Sequence, residues 1–540
     1  MDFIKRHKTI LLSTTLFLLI FFIYLAVING KFFFDDDTFV RFNSSITSGD
    51  RFYEYFTSQI LEGADLSSNF YRPLQTISYR ALYLAWGLNS LPFHILQISL
   101  HAINTILIFL LLKKLGFKEN HSFIASILFG IHPVLTQAVS YISGLADPIY
   151  LMFTLIAAHL LLRILHKKQH RLIFAILTVL SIILALLSRE TAVISFAFLA
   201  LIFIYDRNSR KDEGYFENKY AIAILGVTTI ISILYVISRF SILKFTDNVG
   251  LNIDENVYTK NLSVRLITFV SILWDYFVLI VFPKDLNYEK PYTAYTFINT
   301  ARFIFGFIWI ASSIIISYFS FKKKGVLWLG ITTFWVFLIP VTGIIPLNSM
   351  YLEHWLYGSF IGLAIILAWF LDQMDENFDK LINRIILAIV ILVFILLGLR
   401  TISRNKEWAN EIAFWQNELN YETDSARVYN NLGMAYIDNL DYDSAIENYK
   451  KAIEISDTYP HTRFNLGNTY ADRQMFDEAF DEYIKSLQID PNFIFTHAAL
   501  YKLSVSLGED QNAQIFSDFV NRIRNGETLT FDEIVSTRQN

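Results

Sequence analysis

Two features of the amino-acid sequence predict an all-α protein in two parts: a polytopic helix bundle in a membrane, then a solenoid of paired helices. The first is an apolar excess, with 54% of the 540 residues hydrophobic and a mean hydropathy of +0.40, above what a soluble chain of this size carries. That excess stops near residue 400. The second is a repeat. Leu432, Gly433, Tyr436, Ala445, Tyr449 and Ile455 recur as Leu466, Gly467, Tyr470, Ala479, Tyr483 and Ile489, each offset by 34 residues (466 − 432). This is the period of the tetratricopeptide helix-turn-helix, and Leu500 and Ala513 continue it weakly, as a terminal cap does.

The sequence divides into a membrane domain over 1–400, a connecting segment over 401–424, repeats with their cap over 425–524 and a tail over 525–540. About 11–12 apolar segments fill the membrane domain, and helices are expected throughout because only helices satisfy their own backbone groups in lipid. Thr9 to Ile28 follows Lys5, Arg6 and Lys8 without a small-residue cleavage site, so it reads as an uncleaved anchor with a cytoplasmic N-terminus. Lysines and arginines gather in alternate loops: Lys113, Lys114 and Lys118; Lys167, Lys168 and Arg171; Arg207, Arg210, Lys211 and Lys219. These mark the cytoplasmic side and leave the Asp35 loop, His132 to Asp147 and Ser188 to Thr191 on the opposite face. Twelve full spans would place Lys322, Lys323 and Lys324 outside. If Leu266 to Phe282 instead lies along the interface or re-enters, the triplet goes inside and the repeats go outside, although Arg400, Arg404 and Lys406 pull the other way. The favoured topology puts the active site and the repeats on the extracytoplasmic face.

Composition also excludes chemistry. There is no cysteine, so no disulfide framework and no thiolate nucleophile or metal ligand. A net charge of -4 gives no general attraction for nucleic acid.

The candidate site begins with Asp35, Asp36 and Asp37, just beyond the first apolar segment in a long loop over 29–92. Three adjacent carboxylates at a membrane surface are costly unless they act. A general base taking a proton from an incoming hydroxyl ranks first, with Asp35 or Asp36 in that role. A divalent cation, Mg²⁺ or Mn²⁺, held by Asp35, Asp36 and Asp37 ranks second, and a solvated acidic loop third. His132 and Asp147 bracket HPVLTQAVSYISGLAD, in which Gln137, Tyr141 and Ser143 offer hydrogen bonds to a hydroxylated ligand; His132 alone reads almost equally well as a cap beside Pro133. Arg189 and Glu190 join two apolar segments too closely for both charges to escape, either to bind a phosphate or to tie the hairpin as an ion pair. Glu353 precedes another span on the same face, and an aromatic belt explains its Trp355 and Tyr357 neighbours but not the carboxylate. His94 and His101 read as packing histidines rather than a zinc site.

In order along the chain, FFFDDD, YRPL, WGL…FH, HPVLTQAVSYISGLAD, LLSRETA, FPKDLNY, EHWLYGSFIG, RNKEW and SARVYNNLGMAY resemble the transmembrane and tetratricopeptide-repeat O-mannosyltransferases, across nearly the whole chain. That resemblance implies a GT-C membrane bundle and an inverting transferase that moves a sugar, mannose in the family, from a polyprenyl phosphate to a hydroxyl of a protein Ser or Thr. It implies an essential acidic pair at Asp35 and Asp36, with Arg72, His132, Asp147 and Glu190 around donor and acceptor. Arg189 stands where the family has lysine, and Glu353-His354-Trp355 stands where it has Glu-Arg-Tyr. The expected mechanism is direct displacement, with Arg189 or Arg72 facing the departing lipid phosphate. The lack of cysteine and the few repeats point to a bacterial or archaeal cytoplasmic membrane. The repeats are expected to hold a protein or peptide acceptor through Tyr429, Asn430 and Asn465. Two other readings stay open: transfer to a lipid or envelope glycan, and a non-catalytic membrane-anchored scaffold.

Overall fold

The computed structural model describes residues 2–49, 52–64, 66, 68, 70–166, 169–209, 219–241, 257–288, 294–298, 300–345, 347 and 349–539. Lys167, Lys168, Arg210 and Lys211 of the basic loops lie outside them, as do the side chains of Lys5 and Arg6. Every regular element among the described residues is helical. The chain forms two compact units, Met1–Ala409 and Asn410–Asn540.

Twelve main helices build the first unit: α1 (Asp2–Ile23), α2 (Leu91–Lys114), α3 (Glu119–Ile131), α4 (Ala146–His166), α5 (Arg171–Leu186), α6 (Ser195–Ser209), α7 (Lys219–Ser241), α8 (Leu262–Val281), α9 (Ala301–Lys322), α10 (Leu327–Leu338), α11 (Phe360–Asn377) and α12 (Lys380–Trp408). Among the described residues, six helical segments are long and apolar enough to cross a membrane unaided, and the others are shorter, broken or more charged. The segment expected over Ser122 to Val139 is not straight. It bends by 51° between α3 and Pro133–Ser140, because Pro133 has no N–H to continue the ladder and its ring displaces the preceding carbonyls.

Contacts assign several helix ends to one of two faces. On the basic face, Thr9 at the start of α1 hydrogen-bonds Glu119 at the start of α3 (2.6 Å), and Tyr205 of α6 donates to the Leu115 carbonyl after α2 (3.1 Å). On the Asp35 face, Ser90 donates to the Gly30 carbonyl (2.6 Å), the Tyr71 N–H donates to Glu190 (2.9 Å) and Asn405 near the end of α12 donates to the Ile23 carbonyl (3.0 Å).

Helix α8 satisfies the length and hydropathy of a span, yet all along its length it meets the Asp35 face. Arg265 near its start donates to the Gly343 carbonyl (2.6 Å), Tyr276 to the Leu352 carbonyl (3.2 Å), and the Ile280 carbonyl near its end meets His132 (3.1 Å). The turn just before Gly343 packs on the Glu190–Ile194 turn of that face. So α8 lies along that face rather than running from one face to the other. Lys322 then ends α9 on the basic face, where Trp328 packs on Tyr205 (6.4 Å between rings), and α12 ends on the Asp35 face.

Close helix approach holds the bundle. A Cβ on Gly362 of α11 would sit 2.4 Å from the Gly330 carbonyl of α10, so these helices touch backbone to backbone. His101 is buried between the Tyr357 hydroxyl (2.9 Å) and the Gly130 carbonyl (3.1 Å), and His94 meets the Gly30 carbonyl (3.3 Å): both serve packing.

In the second unit, helices Ala426–Ile437, Tyr442–Ile455, Pro460–Asp472, Phe476–Ile489, Ile494–Leu507 and Asp510–Arg524 pair in sequence. Ser425 and Asp441 cap two of them by accepting from the backbone of Val428 (3.4 Å) and Ser444 (3.1 Å). Most of the periodic residues face inward: Ala445, Tyr449, Leu466, Ala479, Tyr483 and Leu500 share one core, whereas Ile455 is exposed. Gly433 and Gly467 are required by the tyrosines of the following helices, since a Cβ on either would lie 2.6 Å from the ring of Tyr449 or Tyr483. Helix Glu411–Leu419 packs on Ala426–Ile437, and Leu529 and Ile534 also join the core.

Candidate active site

The acidic run leaves α1 in a turn that sends its carboxylates apart. Phe34 takes a left-handed backbone (φ 54°), which a bulky residue adopts only when its surroundings impose it. A π-helical turn over Asp37–Arg41 follows, another local departure typical of functional sites. Asp36 turns inward and is buried, accepting from the backbone N–H (2.8 Å) and hydroxyl (2.6 Å) of Ser143. Burial pushes its carboxyl well above the usual range; the Ser143 bonds pull the other way and the neighbouring Asp35 charge adds to the rise. Asp35 turns the other way. Its carboxylate accepts from the Tyr288 hydroxyl (2.9 Å), and its own N–H donates to the Tyr141 hydroxyl (2.9 Å). Tyr141 is clamped by Trp408, stacked at 5.3 Å, and by the edge of Tyr288 at 5.7 Å. Asp37 pairs with Arg41 one turn on (2.9 Å).

These separate partners test the metal reading. The three carboxylates engage Tyr288, Ser143 and Arg41, and among the described residues no group of three or more His, Asp or Glu is arranged to hold a metal ion.

A buried charge quartet lies on the same face. Arg72 pairs with Glu190 (3.1 Å), and Arg189 pairs with Asp147. Burial would raise the Glu190 carboxyl, but Arg72 beside it, helped by Arg239, holds it below its ordinary range. Burial lowers the Arg72 guanidinium from its usual value, against the pull of Glu190.

Helix Pro73–Trp86 ties the quartet to Asp36. Arg72 stands at its N-terminus; one turn on, Gln75 donates to the Ser143 carbonyl (2.9 Å) and Tyr79 to the Ile142 carbonyl (2.6 Å). On the other side, Gln137 donates to the Tyr288 carbonyl (3.1 Å) and accepts from the His354 N–H (2.9 Å). Burial drives the His354 imidazole well below its normal range, and Arg189 and Arg72 push it the same way. His354 is therefore a neutral group facing two cations. Two polar runs thus flank the acidic turn: Asp35, Tyr288, Gln137 and the His354 backbone on one side, and Asp36, Ser143 and Gln75 on the other.

Two predicted residues sit in the frame of this site. His132 is buried, with Nε2 against the Ile280 carbonyl (3.1 Å) and Nδ1 accepting from the Val134 N–H (3.4 Å), so it caps the turn at Pro133. Glu353 accepts from the Asn287 N–H (2.7 Å) and anchors the strip that carries Tyr288. The sequence placed Tyr288 in the FPKDLNY motif without giving it a role of its own, and gave none to Gln75 or Tyr79. In the second unit, Asn465 donates to Asn430 (3.1 Å) across neighbouring helices, and Tyr429 lies under the Lys451 ammonium (5.9 Å).

The family profile described as tetratricopeptide repeat matches residues 426–459 and 460–493. Over 454 residues the chain is 26% identical to "Protein O-mannosyl-transferase F38B6.6" of Caenorhabditis elegans, covering 81% of this chain and 61% of that protein. Over 413 residues it is 25% identical to "Protein O-mannosyl-transferase TMTC3" of Homo sapiens, covering 71% and 44%. The chain resembles the protein O-mannosyl-transferases. It spans only 61% and 44% of the length of these two relatives. A higher identity, 35%, is confined to 141 residues shared with "Protein O-mannosyl-transferase tmtc2" of Xenopus laevis, covering 25% of this chain and 16% of that one. Among solved structures, the oligosaccharyltransferase of Archaeoglobus fulgidus tethered to an acceptor peptide aligns over 82% of this chain and 59% of that chain, with a TM-score of 0.36 and 13% identity.

Proposed function

We propose that this chain is an integral-membrane, inverting glycosyltransferase of the GT-C type, moving a sugar from a polyprenyl phosphate to a Ser or Thr hydroxyl of a protein on the extracytoplasmic side. The observation that carries the reading is the divergence of Asp35 and Asp36: one carboxylate presented beside Tyr288, its neighbour buried as an anchor. The names of the relatives favour mannose as the sugar and protein as the acceptor.

In this reading Asp35 accepts the acceptor's hydroxyl proton as the acceptor oxygen forms its bond to the anomeric carbon. The bond from that carbon to the phosphate oxygen breaks, and the phosphate leaves with the electron pair. Arg72 and Arg189, each already held by one carboxylate, are oriented before the reaction to meet that charge. Neutral His354 leaves this task to the two arginines. Asp36 positions Asp35 by fixing the turn to Ser143.

The test uses the full chain in lipid nanodiscs with polyprenyl-phosphate mannose and a Ser/Thr peptide, with mass spectrometry of the peptide. A gain of one hexose by wild type and none by Asp35→Asn is expected. Equal product from both would reject the base, and no transfer of any polyprenyl-linked hexose to peptide or protein would reject the function.

A further inference from the structure

On the basic face, opposite the Asp35 site, α3, α11 and α12 enclose a cavity of about 540 Å³. Its walls are apolar, with Phe123, Ile124, Leu371 and Leu387, and its rim carries Lys380 and Arg384. These two cations are exposed and one helical turn apart on α12, and among the described residues neither side chain has an ion-pair or hydrogen-bond partner. The acids around the rim, by contrast, are engaged. Asp372 meets His121, Asp375 pairs with Lys118 (3.0 Å), Glu376 accepts from Gln373 (3.1 Å), and Asp379 caps α12 through the N–H groups of Leu381 and Ile382 (2.9 and 3.0 Å).

We propose that this cavity binds an anionic phospholipid, with its phosphodiester between Lys380 and Arg384 and an acyl chain along Leu371 and Leu387. A soluble phosphate would use the cations but not the apolar wall. That wall continues toward the bilayer along α12, whose Ile385, Ile389 and Leu392 are exposed. The same face carries the basic loops that mark the cytoplasmic leaflet, where anionic lipid concentrates.

The experiment is native mass spectrometry of the full chain in detergent, offered phosphatidylglycerol, phosphatidylcholine or phosphatidylglycerol with excess inorganic phosphate. Wild type should retain phosphatidylglycerol over phosphatidylcholine by roughly tenfold or more, as two nearby cations imply. Lys380→Gln with Arg384→Gln should erase the preference at unchanged melting temperature, because both residues are exposed. Leu387→Trp, which fills the cavity, should weaken retention of both lipids. Equal retention of the two lipids by wild type, an undiminished preference in the double variant, undiminished binding by Leu387→Trp, or displacement by inorganic phosphate would each overturn the proposal.

Discussion

The Tyr288 hydroxyl donates to the Asp35 carboxylate at 2.9 Å, across 253 residues of sequence. A hydrogen bond to a charged group contributes about 1.5–3 kcal/mol, and here it fixes the orientation of the Asp35 carboxylate. Tyr288→Phe removes the donor and leaves the ring that packs on Phe34 and Tyr141. The expected outcome is a kcat lower by roughly 10- to 100-fold with little change in KM for the peptide. An unchanged kcat would show that the bond holds the loop without serving the reaction.

Asp35 and Asp36 should separate under the same substitution. Asp35→Asn is expected to fall to background activity, while Asp36→Asn keeps a measurable fraction, because an amide oxygen still accepts both Ser143 bonds. Stability should move in the opposite sense. The Asp36 carboxyl is raised in the fold above its unfolded value, so native stability is lost as pH rises from the unfolded carboxyl value of about 3.9 toward the folded one. Asn does not ionise. The melting temperature of Asp36→Asn minus that of wild type should therefore grow as pH rises across that window. A difference that shrinks, or Asp36→Asn as the more inactive variant, would contradict these roles.

The repeats were legible because their spacing is enforced by contact: Gly433 must be small where the Tyr449 ring crosses it, and the same contact recurs at Gly467 and Tyr483. The divergence of Asp35 and Asp36 was not legible. It depends on the left-handed Phe34 and on Ser143 and Tyr288, which arrive from segments more than a hundred residues away. Helix α8 was ambiguous in the sequence, a span by hydropathy and an interfacial segment by the basic loops, since hydropathy records composition and not direction. A signal was present in the sequence, because the segment carries Arg265 and Asp275, and Asp275 pairs with Arg302 (2.7 Å).

Gly433→Ala tests the repeat packing. A Cβ placed 2.6 Å from the Tyr449 ring forces that ring to shift, at a cost of about 1–3 kcal/mol. Faster limited proteolysis of the second unit is expected, with the first unit unaffected. Alanine at the exposed Gly508 is strained by its positive φ of 73° but meets no atom within 4 Å, and so separates backbone strain from the clash. Proteolysis of Gly433→Ala at the wild-type rate would dismiss the clash.

The two faces can be told apart by labelling, and the chain contains no cysteine to confuse the result. Single cysteines at Ser48, Lys323 and Thr458 report the Asp35 loop, the end of α9 and the repeats. An impermeant maleimide should label Ser48→Cys and Thr458→Cys on intact cells, and Lys323→Cys only after permeabilisation. Labelling of Thr458→Cys only after permeabilisation would place the repeats on the basic face and contradict the exit of α12 beside Asn405 and Trp408.

The repeats are expected to select the acceptor and take no part in the chemistry, because the proposed catalytic groups all precede Ala409 while the second unit offers packing positions and an Asn pair. Asn430 and Asn465 hydrogen-bond each other between first helices of successive repeats, leaving amide groups suited to an extended peptide backbone. Asn430→Ala with Asn465→Ala should therefore raise KM for a folded protein acceptor by about tenfold, the scale of one or two modest interface contacts, and leave kcat on a short peptide unchanged. Ending the chain after Ala409 should reduce transfer to the protein acceptor further while sparing slow hydrolysis of the donor. The decisive measurement compares both variants on the short peptide and on the protein. Equal losses on the two substrates would mean that the repeats brace the membrane unit, and acceptor selection would have to be sought in the Asp35 loop instead.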